Sequence, residues 1–112
     1  MRALIGGTGP DWTLEEIDPP EQLGALRVQV MAAGPNRADL YALEGSYTAN
    51  SQAEGRYTAG MEVAGVVETG SLLAGNLPAG TRFMGIAVGA FADRAICDPR
   101  LVVPIPEPLS FT

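Results

Sequence analysis

Residues 25–39 read Ala25-Leu26-Arg27-Val28-Gln29-Val30-Met31-Ala32-Ala33-Gly34-Pro35-Asn36-Arg37-Ala38-Asp39, and this stretch decides the fold. Apolar and polar residues alternate at its centre. Val28 and Val30 therefore share one face and Arg27 and Gln29 the other, which is the period of a half-buried strand. Gly34-Pro35 ends the strand. Asn36 then opens a short helix over Arg37-Ala38-Asp39-Leu40-Tyr41-Ala42-Leu43-Glu44. Asn is a good N-cap, Asp39 falls in the positively polarised first turn, and Gly45 can end the helix. Leu40 and Leu43 lie three apart on one helical face.

Outward from this core the chain is a series of short apolar runs punctuated by glycine and proline, the pattern of strands joined by turns. Arg2 to Ile5 forms a first strand, followed by Gly6-Gly7-Thr8-Gly9-Pro10. Trp12 to Ile17 forms a second, closed by Pro19-Pro20. Residues 46–59 are polar and irregular and read as a surface loop. Met61-Glu62-Val63-Ala64-Gly65-Val66-Val67-Glu68 is a largely apolar, β-branched strand in which Glu62 is the odd residue. Pro78-Ala79-Gly80 turns into Thr81-Arg82-Phe83-Met84, and Phe91 to Cys97 is a further strand. Leu101 to Pro106 is a last extended segment, which Pro104 and Pro106 confine to a sheet edge or a departing linker. There is no internal repeat. The expectation is one mainly β domain over residues 1–112, a partly open β-barrel with one or two short helices.

Composition narrows the function. The formal charge is −6, from 7 basic and 13 acidic residues. Phosphate backbones and anionic lipids need clustered Lys and Arg, which this chain lacks, so neither nucleic acid nor a membrane surface is expected as a partner. The first apolar residues stop at Gly6, no long apolar stretch follows, and a cytoplasmic location is the default expectation. Cys97 is the single cysteine and no histidine is present. These 112 residues therefore hold no Ser-His-Asp or Cys-His nucleophile system and no imidazole zinc site. Cys97 has no basic residue beside it, with Arg94 and Arg100 a few positions away, and reads as a core thiol.

Three stretches in this order resemble the medium-chain dehydrogenase/reductase superfamily, and within it the zinc-free quinone oxidoreductases. Val30 to Asp39 is similar to that family's strand followed by A-G-x-N-x-x-D. Gly60-Met61-Glu62-Val63-Ala64-Gly65-Val66-Val67 resembles its G-x-E-x-x-G-x-V strand. Pro78-Ala79-Gly80-Thr81-Arg82, Gly89-Ala90-Phe91-Ala92-Asp93 and Pro104-Ile105-Pro106-Glu107-Pro108-Leu109-Ser110 resemble its G-D-R-V, G-x-x-A-E and I-P-E-x-L-S elements. The match runs over nearly the whole chain and implies a GroES-like barrel, the catalytic domain of that family.

The resemblance implies further expectations. Zinc-dependent relatives carry a Cys in the loop after the third strand and a His before the Glu of the second motif. Here Pro35-Asn36 and Met61 stand at those positions, so no zinc is expected. NADPH is the implied cofactor, held mainly by a Rossmann domain of the same parent chain, because Gly6-Gly7-Thr8-Gly9-Pro10 lacks the spacing of a phosphate loop. The implied activity is reduction of quinones or other conjugated carbonyl compounds, with this chain inactive on its own; a homodimer is also allowed. Two other readings share the motifs: a stand-alone GroES-like interaction module and an enoyl-reductase module of a larger synthase. Against the first, residues 46–59 hold no hydrophobic tripeptide to dock into a chaperonin.

By that resemblance Asn36 and Asp39 face the nicotinamide and substrate cleft as catalytic residues, with Asn36 also on the cofactor side; capping of the helix is the alternative for both. Tyr41 and Tyr47 match substrate-binding aromatics, Tyr47 also catalytic, where a ring can stack on a flat substrate and a hydroxyl can reach a carbonyl. Packing at the barrel mouth is the alternative for Tyr41. Glu62 is expected to be a structural carboxylate; if buried it needs a partner, Arg82 or Arg94, or a proton. The loop after Tyr47 departs from the proline-rich pattern of relatives, which leaves the substrate open.

Overall fold

The computed structural model describes residues 1–7, 9–21, 25–44, 55–68 and 77–111. Within them eight strands form: β1 (Arg2–Gly6), β2 (Thr13–Glu16), β3 (Leu26–Gly34), β4 (Tyr57–Thr58), β5 (Glu62–Val67), β6 (Arg82–Ile86), β7 (Arg94–Cys97) and β8 (Val102–Pro104). One helix, α1 (Arg37–Leu43), follows β3, and a single 3-10 turn at Pro99–Leu101 precedes β8. The strands make two antiparallel sheets, ordered β2-β1-β4 and β7-β3-β5-β6-β8. β8 is the edge of its sheet, where Pro104 is tolerated. Among the described residues the sheets do not close into a cylinder, which is the partly open barrel expected.

The two sheets meet along residues 91–93. Leu4 N–H donates to Phe91 O at 2.8 Å, and Asp93 N–H donates to Arg2 O at 3.0 Å. Asp93 Oδ2 in turn accepts from Arg2 N–H at 2.8 Å, which holds the Asp93 carboxyl below its usual range. Trp12 packs edge-on against Phe91, ring centroids 5.7 Å apart.

The core explains the sequence pattern. Leu26 and Val28 of β3, Val63 and Val67 of β5, Phe83 of β6 and Cys97 of β7 are all buried in one cluster. Burying each large side chain contributes about 1.5–3 kcal/mol. Across the other face of the sheet, Glu68 joins three strands: its carboxylate accepts from Arg27 Nε at 2.8 Å and from Arg94 Nε at 2.6 Å.

Between β3 and β5 the register runs Val30↔Gly65 and then Ala32↔Ala64, so Met31 is the extra residue of a β-bulge. A one-residue shift exchanges the faces of a strand. Val28 and Val30 point to the core, whereas Ala32 lies beside Ala64 on the outer face. The bulge brings the β3 backbone close to β5: a Cβ at position 65 would sit 2.1 Å from Gln29 O. Only glycine fits there.

Two features differ from the sequence reading. Within residues 46–59, expected to be irregular, Tyr57 and Thr58 form β4 by pairing with Gly6 and Ile5 of β1. A two-residue strand has no period to detect, and Tyr57 is held by covering Gly6 with its ring: a Cβ there would meet Tyr57 Cζ at 2.5 Å. On α1, Leu43 is half-buried but Leu40 is 51% exposed, so the two leucines do not share a buried face. Gly45, the expected helix stop, and residues 46–54 of the loop lie outside the described residues. Among the described residues no helix is long and apolar enough to cross a membrane.

Cys97 is buried, and desolvation pushes its thiol up to about 12. Native protein at pH 8 should therefore resist iodoacetamide, and unfolded protein should react at once. Because the unfolded thiol ionises near 8.5 while the folded one keeps its proton, this residue's contribution is complete below about pH 8.5 and is lost as pH rises toward 12. Denaturant melts at pH 8 and pH 10.5 should show a larger loss of stability for this protein than for Cys97→Ala.

Candidate functional site

The candidate residues gather where β3 ends. Pro35 fixes its own φ and offers no N–H, so Gly34-Pro35 makes a stiff corner. Asn36 follows as the N-cap of α1, in extended conformation with φ −124° and ψ 157°. Asp39 reaches back in a capping box: its Oδ2 accepts from Asn36 N–H at 2.7 Å, while its own N–H donates to Asn36 O at 3.0 Å. Asp39 is only 3% exposed, the buried charged residue among those described. The capping role of Asp39 is thus visible in the geometry, and its effect is to fix the backbone of Asn36. The Asn36 amide is bound more loosely: Nδ2 meets Gly34 O at 3.5 Å, the limit of a hydrogen bond. That side chain is half-buried, and Nδ2 has donor capacity left for a ligand.

Tyr41 lies on the solvent side of α1, 43% exposed, two residues beyond buried Asp39 and so on the opposite side of the helix. Tyr47 lies outside the described residues. Glu62 stands directly opposite Gly34 in the β3–β5 ladder and is exposed, so water solvates it and burial does not force a partner. Neither arginine named for it is at hand. Arg94 is bonded to Glu68, and Arg82 donates to Leu109 O with its guanidinium 4.9 Å above the Phe111 ring. Glu62 leans over the corner instead, Oε2 lying 2.9 Å from where a Cβ on Gly34 would stand.

An open groove of about 600 Å³ begins at this corner. Ala32, Gly34, Ala64, Met84, Ile86 and Phe111 line it around Glu62, the one charged group among its described residues. The sequence reading passed over Met84, Ile86 and Phe111. For Met84 and Ile86 the signal was present in β5 and β6, which after Glu62 and Arg82 are apolar on both faces where a half-buried strand would alternate. A smaller cavity of about 140 Å³ lies elsewhere, among Met1, Ile17, Thr58, Val88 and Ile96, and contains none of the candidate residues.

The corner does not fit zinc. Asn36 and Met61 offer an amide and a thioether, poor ligands beside thiolate or imidazole, and Cys97 is a protonated core thiol on another strand. Among the described residues no three His, Cys, Asp or Glu side chains cluster as a metal site. The glycine-rich segment after β1 leads into β2, so it is a hairpin connection. A phosphate loop needs a helix N-terminus at that point, and the segment does not fit the pyrophosphate of a dinucleotide.

Known proteins share this fold. A family model described as the alcohol dehydrogenase GroES-like domain matches residues 22–107. No curated protein matches the chain by sequence. Among solved structures, the quinone oxidoreductase from Coxiella burnetii superposes with a TM-score of 0.85 at 25% identity, covering 99% of this chain and 38% of that one. The quinone oxidoreductase from Thermus thermophilus, solved also in complex with NADPH, gives 0.76 at 30% identity, covering 99% and 34%. Human synaptic vesicle membrane protein VAT-1 homolog-like protein gives 0.84 at 29% identity, covering 99% and 37%. The chain spans little more than a third of the length of these structures.

Proposed function

The chain belongs to the alcohol dehydrogenase GroES-like domain family, and on that premise we propose that it is the substrate-side half of a zinc-free, NADPH-dependent, cytoplasmic oxidoreductase acting on quinones or other conjugated carbonyl compounds. The observation that carries the reading is the strand–helix corner at which buried Asp39 holds the Asn36 backbone, while Asn36 Nδ2 makes a long 3.5 Å contact to Gly34 O. The same fold in quinone oxidoreductases at 25% and 30% identity supports it.

NADPH would supply the hydride, its phosphates held by a Rossmann domain and its nicotinamide next to Asn36. The work left to this chain is positioning and polarity. Asn36 Nδ2–H donates to the carbonyl oxygen as negative charge grows there, from a backbone that Asp39 already holds in place. Asp39 is a positioning residue, acting through the Asn36 backbone. Tyr41 and Tyr47 are the aromatic residues assigned to the substrate, chosen because such a ring can stack on a flat molecule and its hydroxyl can donate to a carbonyl. The single proton that completes the hydroquinone after hydride transfer comes from water entering the open side of the corner.

The test is a fusion of residues 1–112 to the remainder of the Thermus thermophilus enzyme, beginning where the matched region ends. The fusion should oxidise NADPH in the presence of a quinone or an enone. A folded fusion that binds NADPH and reduces no conjugated carbonyl compound removes this reading.

A further inference from the structure

The glycine pair at the end of β1, which the proposed reaction leaves unused, forms a seat. Gly6 and Gly7 present bare backbone to residues 55–58. A Cβ on Gly6 would meet the Tyr57 ring at 2.5 Å, and one on Gly7 would overlap Gly55 O. Gly55 has φ +88°, which favours glycine, and open space surrounds its missing Cβ. What rests on the seat is held lightly. β4 has two residues, paired with Ile5 and Gly6. The Arg56–Glu15 ion pair, 2.7 Å, joins side chains that water reaches, so it adds little. Arg56, Tyr57 and Thr58 border the cavity of about 140 Å³, where part of their surface has no packing partner.

The Tyr57 hydroxyl is buried and has no hydrogen-bond partner among the described residues, and the same holds for Trp12 Nε1. Trp12 immediately precedes Thr13, which pairs with Ile5, so the two orphaned groups come from opposite sides of β1 near Gly6. A buried hydroxyl without a partner destabilises the closed arrangement and recovers that cost when water reaches it. Just beyond, the chain is firmly anchored. Phe91 N–H donates to Ala59 O at 2.9 Å, and Gly60 O accepts from Gly89 and Ala90 at 3.1 Å each.

From this we infer that residues 55–58 are a releasable clasp, which leaves the Gly6-Gly7 seat about the anchor at Gly60 while the five-stranded sheet stays folded. Release gives the Tyr57 hydroxyl its water and opens one wall of the cavity. It also makes the connection from α1 to β5 adjustable, ending at β4 when the clasp is closed and at Ala59 when it is open. Segments with few buried contacts open in this way without global unfolding. The inference needs neither the companion domain nor the proposed reaction.

Native-state hydrogen exchange of the 112-residue protein tests it. Ala59 N–H donates to Leu4 O across the clasp, and Val67 N–H donates to Thr81 O in the five-stranded sheet. Ala59 should exchange at least about a hundredfold faster than Val67. Tyr57→Phe removes the orphaned hydroxyl and keeps the ring, so Ala59 exchange should slow about tenfold. Gly6→Ala fills the seat, so Ala59 should lose its protection while Val67 stays protected. Equal exchange of Ala59 and Val67 in the parent, or loss of both together in Gly6→Ala, overturns the clasp. Unchanged or faster Ala59 exchange in Tyr57→Phe overturns the part given to the hydroxyl.

Discussion

Gly65→Ala should abolish or nearly abolish folding. The new Cβ would stand 2.1 Å from Gln29 O and 3.1 Å from Gln29 C, both backbone atoms of the strand paired with it. Neither can rotate away, so relief requires β3 to separate from β5 at the centre of the five-stranded sheet. Overpacking of this kind costs about 3 kcal/mol or more, a large share of the roughly 5–15 kcal/mol that holds an ordinary domain together. Loss of the near-ultraviolet signal of Trp12 and a collapsed urea midpoint are the expected measurements. Gly9→Ala serves as the control, since open space surrounds its missing Cβ; it should change stability by less than about 0.5 kcal/mol. A Gly65→Ala protein as stable as the parent would show that the bulge does not bring the strands so close.

Asn36→Ala, made in the active fusion, should lower kcat/KM by roughly 10²-fold, the usual loss when a fixed donor is removed from a developing oxyanion. The fall should lie mostly in kcat, because the interaction strengthens in the transition state. Stability should fall by no more than about 1 kcal/mol, the cost of an N-cap side chain. Asp39→Ala should behave differently. It frees the Asn36 N–H from a 2.7 Å bond inside a buried cap, so it should reduce both melting temperature and kcat. Unchanged kcat/KM in Asn36→Ala would leave this corner a structural cap and nothing more.

Much of the fold was legible because its signals are local. The alternation at Val28 to Val30 placed β3, the Asn36 and Asp39 spacing placed the start of α1, and Pro104 put β8 at an edge. What escaped depends on contacts between distant residues. β4 exists because Tyr57 covers Gly6, fifty-one positions away in sequence, and no run of two residues announces that. The bulge at Met31 shows only once β3 is laid against β5, although Gly65 was its trace in the sequence. The candidate site divides in the same way. Asn36 and Asp39 lie close along the chain and could be paired by eye. The exposure of Glu62 follows from which face of β5 it occupies, and an apolar strand conceals that when both of its faces are apolar.

On the proposed function, this polypeptide shapes and polarises a substrate site while the reducing equivalents come from elsewhere. The direct measurement is NADPH oxidation by the purified 112-residue protein with a quinone present, followed at 340 nm, next to the fusion at equal concentration. Background rates for the short protein and enzymatic rates for the fusion are the predicted result. Turnover by the short protein at rates typical of an enzyme would contradict it.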